Sequence, residues 1–127
     1  MKFHLSVGPL LTCIAMLLAS VNSYANSYND GLLAAESGDY QKAAAQWKPL
    51  AGRDNAEAQF NLGLLYHSGS GVEQDEQKAV ALYHKAANNG YSYAQEYLAV
   101  GYQEGWFGLP KDAAKADYWH KQLETNQ

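Results

Sequence analysis

The sequence has little cysteine, no excess of basic residues and no apolar run long enough to cross a membrane comfortably. Its single cysteine, Cys13, lies near the N-terminus. Helix packing rather than disulfide bonding therefore has to hold the chain together. Among the 127 residues, 13 acidic side chains outnumber 9 basic ones, and the formal net charge is −4. This balance argues against nucleic acid and anionic membrane surfaces as partners, because both require a basic face.

The first 25 residues have the pattern of a secretory signal peptide. Lys2 and His4 precede an apolar run from Leu5 to Ala19. Ser23 and Ala25 then provide small residues three and one before a cut after Ala25. We expect residues 1–25 to be removed and residues 26–127 to act outside the cytoplasm, in the periplasm or beyond it. That exported domain would carry 8 basic and 13 acidic side chains and no cysteine.

A retained membrane anchor is the alternative interpretation of this segment. Gly8-Pro9 interrupts the apolar run, which favours cleavage over a stable anchor. A lipoprotein signal around Cys13 is disfavoured, because Thr12 is a poor residue before a lipidated cysteine and further apolar residues follow it. We therefore expect no stable membrane anchor after cleavage.

From residue 39 onward the sequence repeats itself with a period of 36 to 37 residues. A period of this length is typical of stacked two-helix units. The offset changes from 36 to 37 at a glycine-containing turn, where an insertion leaves both packing faces in phase. In the first helix of the unit, Ala58, Leu62, Tyr66 and Gly69 recur as Ala94, Leu98, Tyr102 and Gly105. In the second helix, Lys78-Ala79 recur as Lys115-Ala116. One unit earlier, Asp39, Lys42-Ala43 and Trp47 correspond to Asp75, Lys78-Ala79 and Tyr83.

Apolar spacing and capping residues predict six helices. Gly63 is expected to let a neighbouring helix approach closely, and Gly69 and Gly71 to supply the unusual angles of the turn. Val72 would fill the space under that turn, and Phe107 with Leu109 would do so in the next unit. The predicted helices run from Ser27 or Asn29 to Glu36, Tyr40 to Ala51, Ala56 to Ser68, an Asp75 cap to Asn88, Ser92 to Glu104, and Lys111 to about Leu123.

This repeating pattern resembles the Sel-1-like repeat, a relative of the tetratricopeptide repeat. The resemblance implies an all-α, α/α superhelical fold with full repeats at about 56–90 and 92–124. A shortened N-terminal copy would cover about 27–52. Ala99, His120 and Leu123 depart from the family pattern in ways that suit a terminal repeat. The resemblance is carried by Ala58, Leu62-Gly63, Tyr66, Gly69, Gly71-Val72, Asp75, Lys78-Ala79, Tyr83, Ala86-Ala87 and Gly90, and by their counterparts from Ala94 to Trp119.

For function, the resemblance implies a protein-binding module whose first helices line a concave face. Short exported bacterial members are adaptors of envelope assemblies, and others are immunity proteins that neutralise a secreted toxin. The sequence leaves these two roles open. A cysteine-rich branch is linked to β-lactams, so an enzyme acting on β-lactams or cell-wall fragments is an alternative, but that branch's cysteines are missing here. Self-association through the short stack is a third possibility.

Residue patterns that would indicate catalysis or metal binding are missing. The histidines, such as His67 and His84, do not form an i, i+4 pair beside a carboxylate. Ser68 and Ser70 lie in a glycine turn without a G-x-S-x-G motif. The acidic residues from Glu73 to Glu76 have the wrong spacing for a calcium loop. We therefore expect no catalytic residue, no cofactor and no metal.

A candidate partner-binding strip follows from the helical positions of the unit that starts at Ala56. With 100° per residue, Leu62 and Tyr66 fall on the side of Ala58, whereas Phe60 and Leu64 fall near the opposite side. An apolar centre with a polar rim suits a protein contact. The alternative is that the N-terminal helix simply covers Phe60 and Leu64. The predicted strip consists of Glu57, Phe60, Leu64, His67, Tyr93, Glu96, Val100 and Gln103.

Overall fold

The computed structural model describes the backbone of residues 8–126, which contains six helices and no strand. Each helix packs against the next one along the chain, as expected for a helical repeat stack. Residues 1–7, with Lys2 and His4 of the predicted signal peptide, and residue 127 lie outside the described residues. The helices are α1 (Gly8–Glu36), α2 (Tyr40–Ala51), α3 (Ala56–Ser68), α4 (Glu76–Asn88), α5 (Ser92–Glu104) and α6 (Ala113–Thr125).

The second helix of every unit begins with the same aspartate cap. In each case the carboxylate accepts a hydrogen bond from the backbone N–H three residues on, which satisfies an otherwise free donor of the first turn. The shared cap shows that α2 begins in the same way as α4 and α6. The pairs are Asp39 with Lys42 at 3.1 Å, Asp75 with Lys78 at 2.9 Å and Asp112 with Lys115 at 3.0 Å.

Two predicted helix boundaries were wrong. The last helix begins at Ala113 rather than Lys111, because the Asp112 carboxylate caps it and Pro110 lies before the cap. The first helix does not start at Ser27 or Asn29 but runs without interruption from Gly8. Because the residues before Asn29 are helical, the backbone N–H groups near Asn29 donate to carbonyls one turn earlier in α1. No capping side chain is needed there.

Two hairpins are locked by an aromatic ring that lies directly over a glycine. A Cβ atom added at Gly31 would collide with the Trp47 indole, and one added at Gly63 would lie 2.6 Å from the Tyr83 ring. Trp47 and Tyr83 are both buried, so the expected close approach at Gly63 is confirmed. The third unit has Ala99 at the position of Gly63, and the ring of the corresponding His120 is exposed.

Buried glutamines tie α3 and α5 to the C-terminal ends of the second helices on either side. The Gln59 amide donates to the Ala51 carbonyl at 3.0 Å and accepts from the Asn89 amide at 3.0 Å. Both polar atoms of the buried side chain are thereby satisfied, as burial requires. Gln95 makes the same two bonds one unit later, to the carbonyl of Ala87 and from the amide of Asn126.

The glycine turns between paired helices have the expected left-handed backbone, with φ of 69° at Gly69 and 70° at Gly71. Gly71 lies against the backbone of Tyr40 at the start of α2, where any Cβ would clash. Gly108, its counterpart 37 residues later, lies in the same way against the side chain of Glu76 at the start of α4. Each turn therefore packs onto the preceding hairpin and fixes the stacking of the units.

Helices α1, α3 and α5 lie side by side, and we call the surface they share the first-helix face. The Asn61 amide of α3 donates to the Tyr28 hydroxyl of α1 at 3.0 Å. On the other side of α3, the ring of Phe60 meets the ring of Tyr97 in α5, with centroids 5.5 Å apart. The candidate site is on this face.

Candidate partner-binding site

Two mainly apolar cavities open on the first-helix face, one on each side of α3. The N-terminal cavity has a volume of about 360 Å³ and the aromatic cavity a volume of about 240 Å³. The N-terminal cavity is lined by Leu32, Ala35, Tyr40, Trp47, Asn61, Leu64, Leu65, Ser68 and Ser70. The aromatic cavity is lined by Phe60, Tyr93, Glu96, Tyr97, Val100 and Phe107.

Phe60 is the centre of a cluster of aromatic rings that supports the aromatic cavity. Its ring centroid lies 5.7 Å from that of Tyr83, 5.5 Å from that of Tyr91 and 5.5 Å from that of Tyr97. These tilted and edge-to-face arrangements are the ones that aromatic quadrupoles favour. Phe60 is half-buried as a result, and the rings that bury it come from α4, α5 and the link between them. The side of the Phe60 ring that faces away from the cavity is therefore held in place by packed aromatic rings.

Phe107 closes the aromatic cavity from the turn between α5 and α6. Its ring stacks on that of Tyr97, with centroids 3.7 Å apart and planes 17° from parallel. Its backbone is left-handed, with a φ of 59°, which costs a residue with a bulky side chain of order 1–2 kcal/mol. Leu109 is buried against Gly101 and fills the space under the turn, as predicted. The Phe107 ring also lies close to Gly101, and it extends from there to the first-helix face, where it stacks on Tyr97.

Half of the predicted strip meets in the aromatic cavity. Phe60, Tyr93, Glu96 and Val100 all line it. Leu64 lies across α3 in the N-terminal cavity, with 36% of its surface exposed. Neither Phe60 nor Leu64 is fully covered by α1, contrary to the alternative in which that helix buries both.

The other three strip residues lie outside the two cavities. Glu57 is exposed in the first turn of α3, in a depression beside Tyr28. Gln103 lines a polar depression with His120, and its amide oxygen lies 3.4 Å from the His120 ring. The His67 ring lies edge-on to Phe107 with centroids 6.2 Å apart, so it supports the aromatic cavity without lining it.

Sequence reasoning missed two residues that line the aromatic cavity, Tyr97 and Phe107. The signal that could have placed Tyr97 in the strip is the number of tyrosines, ten in 127 residues, which suits a recognition surface. Phe107 carried a weaker signal. It was assigned with Leu109 to the space under the turn, and that turn is one residue longer than the turn at Gly69.

Burial keeps the hydroxyls of this region protonated. It raises the pKa of Tyr97, and it raises the pKa of Tyr83, with the nearby Tyr97 adding to the effect. Burial likewise raises the pKa of Tyr91, to which Tyr28, Glu57 and Tyr93 contribute. These phenols are therefore neutral near pH 7, and the carboxylates supply the negative charge around the cavity.

The described residues offer little for metal chemistry. Within residues 8–126, no group of three or more His, Cys, Asp or Glu side chains converges on a point where it could hold a metal ion. Over the same part of the chain, no helix combines the length and apolar character needed to cross a membrane. What the first-helix face does offer is an apolar, aromatic surface bordered by carboxylates, an arrangement suited to a protein contact.

The comparisons with known proteins agree with this architecture. The Sel1 repeat model matches residues 56–91 and 92–123, which is more than half of the chain. Its boundaries coincide with the α3–α4 and α5–α6 hairpins. Proteins built from Sel1 repeats generally mediate protein–protein interactions, and the fold is typically a non-catalytic scaffold.

Two solved structures are similar over most of the chain. A protective antigen present in uropathogenic Escherichia coli strains, which displays an SLR fold, matches 84% of the chain at 28% identity with a TM-score of 0.72. A Sel1 repeat protein from Oxalobacter formigenes matches 82% at 27% identity with a TM-score of 0.71. The chain spans only 24% and 44%, respectively, of those longer proteins. By its repeats and by its fold, the chain belongs to the Sel1 repeat family.

Proposed function

We propose that residues 26–127 form an exported, non-enzymatic module that binds another protein through its first-helix face. The observation that carries this proposal is the aromatic cavity. Its rings pack against other rings on the protein side and are open to solvent on the other side. At the rim of this cavity, 65% of the surface of Tyr93 is exposed. Exposed aromatic side chains on a rigid helical support are typical anchors of protein interfaces.

Export is supported by the way α1 packs. Met16, Leu17 and Leu18 are exposed, whereas close packing on α2 begins near Tyr28 and Gly31. Of the residues that a cut after Ala25 would remove, those whose side chains are described, 16–20 and 22–25, are not buried. The main described contact that would be lost is the Arg53 guanidinium over the Tyr24 ring, 4.8 Å from its centroid.

Export is tested by fractionating bacteria that express the full chain and measuring the intact mass of the protein. We expect a periplasmic product that begins at Asn26. A full-length product in the membrane fraction would contradict export and would support the retained anchor.

Partner binding is tested by quantitative copurification from the periplasm with two matched variants. Tyr93→Ala removes an exposed ring at the aromatic cavity, and Tyr118→Ala removes a comparably exposed ring, 52% open, on α6. We expect Tyr93→Ala to reduce recovery of the partner about tenfold, the effect of losing an interface anchor. Tyr118→Ala should leave recovery unchanged. Equal recovery with both variants would exclude the first-helix face as the binding surface.

The identity of that partner distinguishes the two roles left open by the sequence. A secreted toxin that the module inhibits would make it an immunity protein. A component of an envelope or secretion assembly would make it an adaptor. Recovery of a second copy of the chain alone, with a stable dimer on sedimentation, would instead support self-association.

A further inference from the structure

Charged residues are divided between the two kinds of helix in this stack. Among residues 8–126, no lysine or arginine falls on α1, α3 or α5. The basic residues of the described chain all lie on the second helices and the turns, namely Lys42, Lys48, Arg53, Lys78, Lys85, Lys111, Lys115 and Lys121. The first helices carry only carboxylates, namely Asp30, Glu36, Glu57, Glu96 and Glu104.

This division gives the first-helix face a negative potential that the net charge alone does not reveal. Like charges arranged along one face attract ligands of the opposite sign and repel those of the same sign. Glu57 and Glu96 are both exposed. Glu57 lies near Tyr91, whose ring contacts that of Tyr93. Glu96 lines the aromatic cavity together with Tyr93 and Tyr97. A partner that binds here therefore meets negative charge and aromatic rings together.

The aromatic cavity combines those two features in one place. Five of its six lining residues are apolar or aromatic, and the sixth is the carboxylate of Glu96. A lysine or arginine side chain suits such a cavity, because its apolar stem contacts the rings while its cationic end reaches the carboxylate. Arginine suits it best, since its planar guanidinium also stacks on aromatic rings.

We propose that the first-helix face binds a basic segment of its protein partner and that one arginine or lysine side chain of that segment occupies the aromatic cavity beside Glu96. This inference deepens the proposed function and rests on it. It specifies the chemistry of the partner surface, which the fold does not. Acidic segments are excluded by the carboxylates of the first helices.

The test is fluorescence anisotropy with the mature chain and labelled model peptides. One peptide alternates arginine with phenylalanine, and a second of equal length alternates glutamate with phenylalanine. We expect the arginine peptide to bind and the glutamate peptide not to bind. Binding of the arginine peptide should weaken as the salt concentration rises, because the interaction is partly between exposed charges. Equal binding of the two peptides would overturn the inference.

A matched pair of carboxylate variants locates the binding. Glu96→Gln removes the charge at the aromatic cavity, and Glu124→Gln removes the same charge from the exposed surface of α6. We expect Glu96→Gln to weaken binding about fivefold, the upper range for one exposed ion pair. Glu124→Gln should have no measurable effect. If both variants weaken binding equally, the protein responds to net charge and the cavity has no special role.

Spermidine serves as a competitor that carries positive charge without aromatic or apolar side chains. We expect it to displace the arginine peptide poorly at equal charge concentration. Displacement as effective as that by unlabelled peptide would show that the rings contribute nothing, which also contradicts the inference.

Failure of this inference is distinguishable from failure of the proposed function. A partner whose copurification depends on Tyr93 but not on Glu96 or on salt would preserve protein binding at this face and refute the basic segment. Loss of dependence on Tyr93 as well would refute both.

Discussion

The two cavities of the first-helix face occupy equivalent places in successive units, yet their chemistry differs. Asn61, Leu64 and Ser70 line the N-terminal cavity, and Tyr97, Val100 and Phe107 line the aromatic one. Asn61 and Leu64 each lie 36 residues before their counterparts. The same backbone arrangement thus produces one cavity of mixed lining, in which Tyr40 and Trp47 lie among aliphatic and polar residues, and one cavity that is mainly aromatic. The difference shows that the repeat determines where a cavity forms and the side chains determine its chemical character.

The turns that close the two cavities account for part of this difference. From Gly69 to Gly71 the first turn has a single intervening residue, Ser70, whereas Trp106 and Phe107 both lie between Gly105 and Gly108 in the second. The additional residue brings a left-handed backbone at position 107 and directs the Phe107 ring to Tyr97. An insertion in a turn has here added an aromatic wall without disturbing the stacked helices.

The largest expected effect concerns how the turns dock. Gly71→Ala combines left-handed strain with a clash against the Tyr40 backbone, which cannot move aside. Gly108→Ala has similar strain, at φ 75°, but its Cβ would meet only the Glu76 side chain, which can rotate away. We expect losses in unfolding free energy of about 3–4 kcal/mol and about 1–2 kcal/mol, respectively, measured by urea unfolding with far-UV circular dichroism.

Gly90→Ala provides the baseline for this comparison. Gly90 also has a positive φ, 84°, but a Cβ there would have open space around it. Its cost should be that of backbone strain alone, about 1–2 kcal/mol. If all three variants lost the same stability, the docking of the first turn on α2 would contribute nothing.

Two residues of the second turn, Leu109 in the core and Phe107 in the cavity wall, should contribute differently to stability. Leu109→Ala removes a buried side chain and should cost about 3 kcal/mol. Phe107→Gly loses the burial of a half-buried ring, about 1 kcal/mol, and a stacking contact worth about 0.5–1.5 kcal/mol more. It also relieves left-handed strain of about 1–2 kcal/mol, so the net loss is small. The melting temperature should therefore fall by well over 10 °C for Leu109→Ala and by only a few degrees for Phe107→Gly. Comparable decreases would assign Phe107 to the core.

The smallest effect concerns pH and the hairpin beneath the aromatic cavity. His84 of α4 takes the position that Lys48 has in α2, and its ring nitrogen lies 2.9 Å from the Tyr102 hydroxyl. Burial, with a contribution from Lys115, lowers the pKa of His84 below its ordinary value of 6.5. The folded state therefore binds fewer protons than the unfolded state, and stability falls as the pH decreases through that value.

This pH dependence is measured by urea unfolding at about pH 7.5 and about pH 5.5. The wild-type chain should lose stability at the lower pH, and His84→Asn should lose less. Equal losses in both proteins would show that other groups control the acid response.

Most of the helical framework could be predicted from the sequence because the relevant signals are local. The bounds of α2, α3 and α5 agree with the prediction, since glycine turns and polar caps lie within a few residues of the ends they determine. The start of α1 could not be predicted in this way. A good local cap at Ser27 or Asn29 is irrelevant once the residues before it are helical.

The candidate site was less predictable, because its walls come from distant parts of the chain. Helical position alone placed Phe60, Tyr93, Glu96 and Val100 on one face, and the structure brings these four together. Helical position does not reveal that Leu64 falls on the far side of α3, in a separate cavity. That division depends on how closely α5 and α1 approach α3, and side-chain packing sets that distance.

The sequence by itself determined the repeat, its all-α class and the Asp75 cap of α4, because these depend on period and on hydrogen bonds between near neighbours. Only the tertiary structure decided that Tyr97 and Phe107 stack and that Gln59 joins two hairpins. Such contacts link residues on different elements, and their geometry follows from the packing of whole helices rather than from any short stretch of the chain.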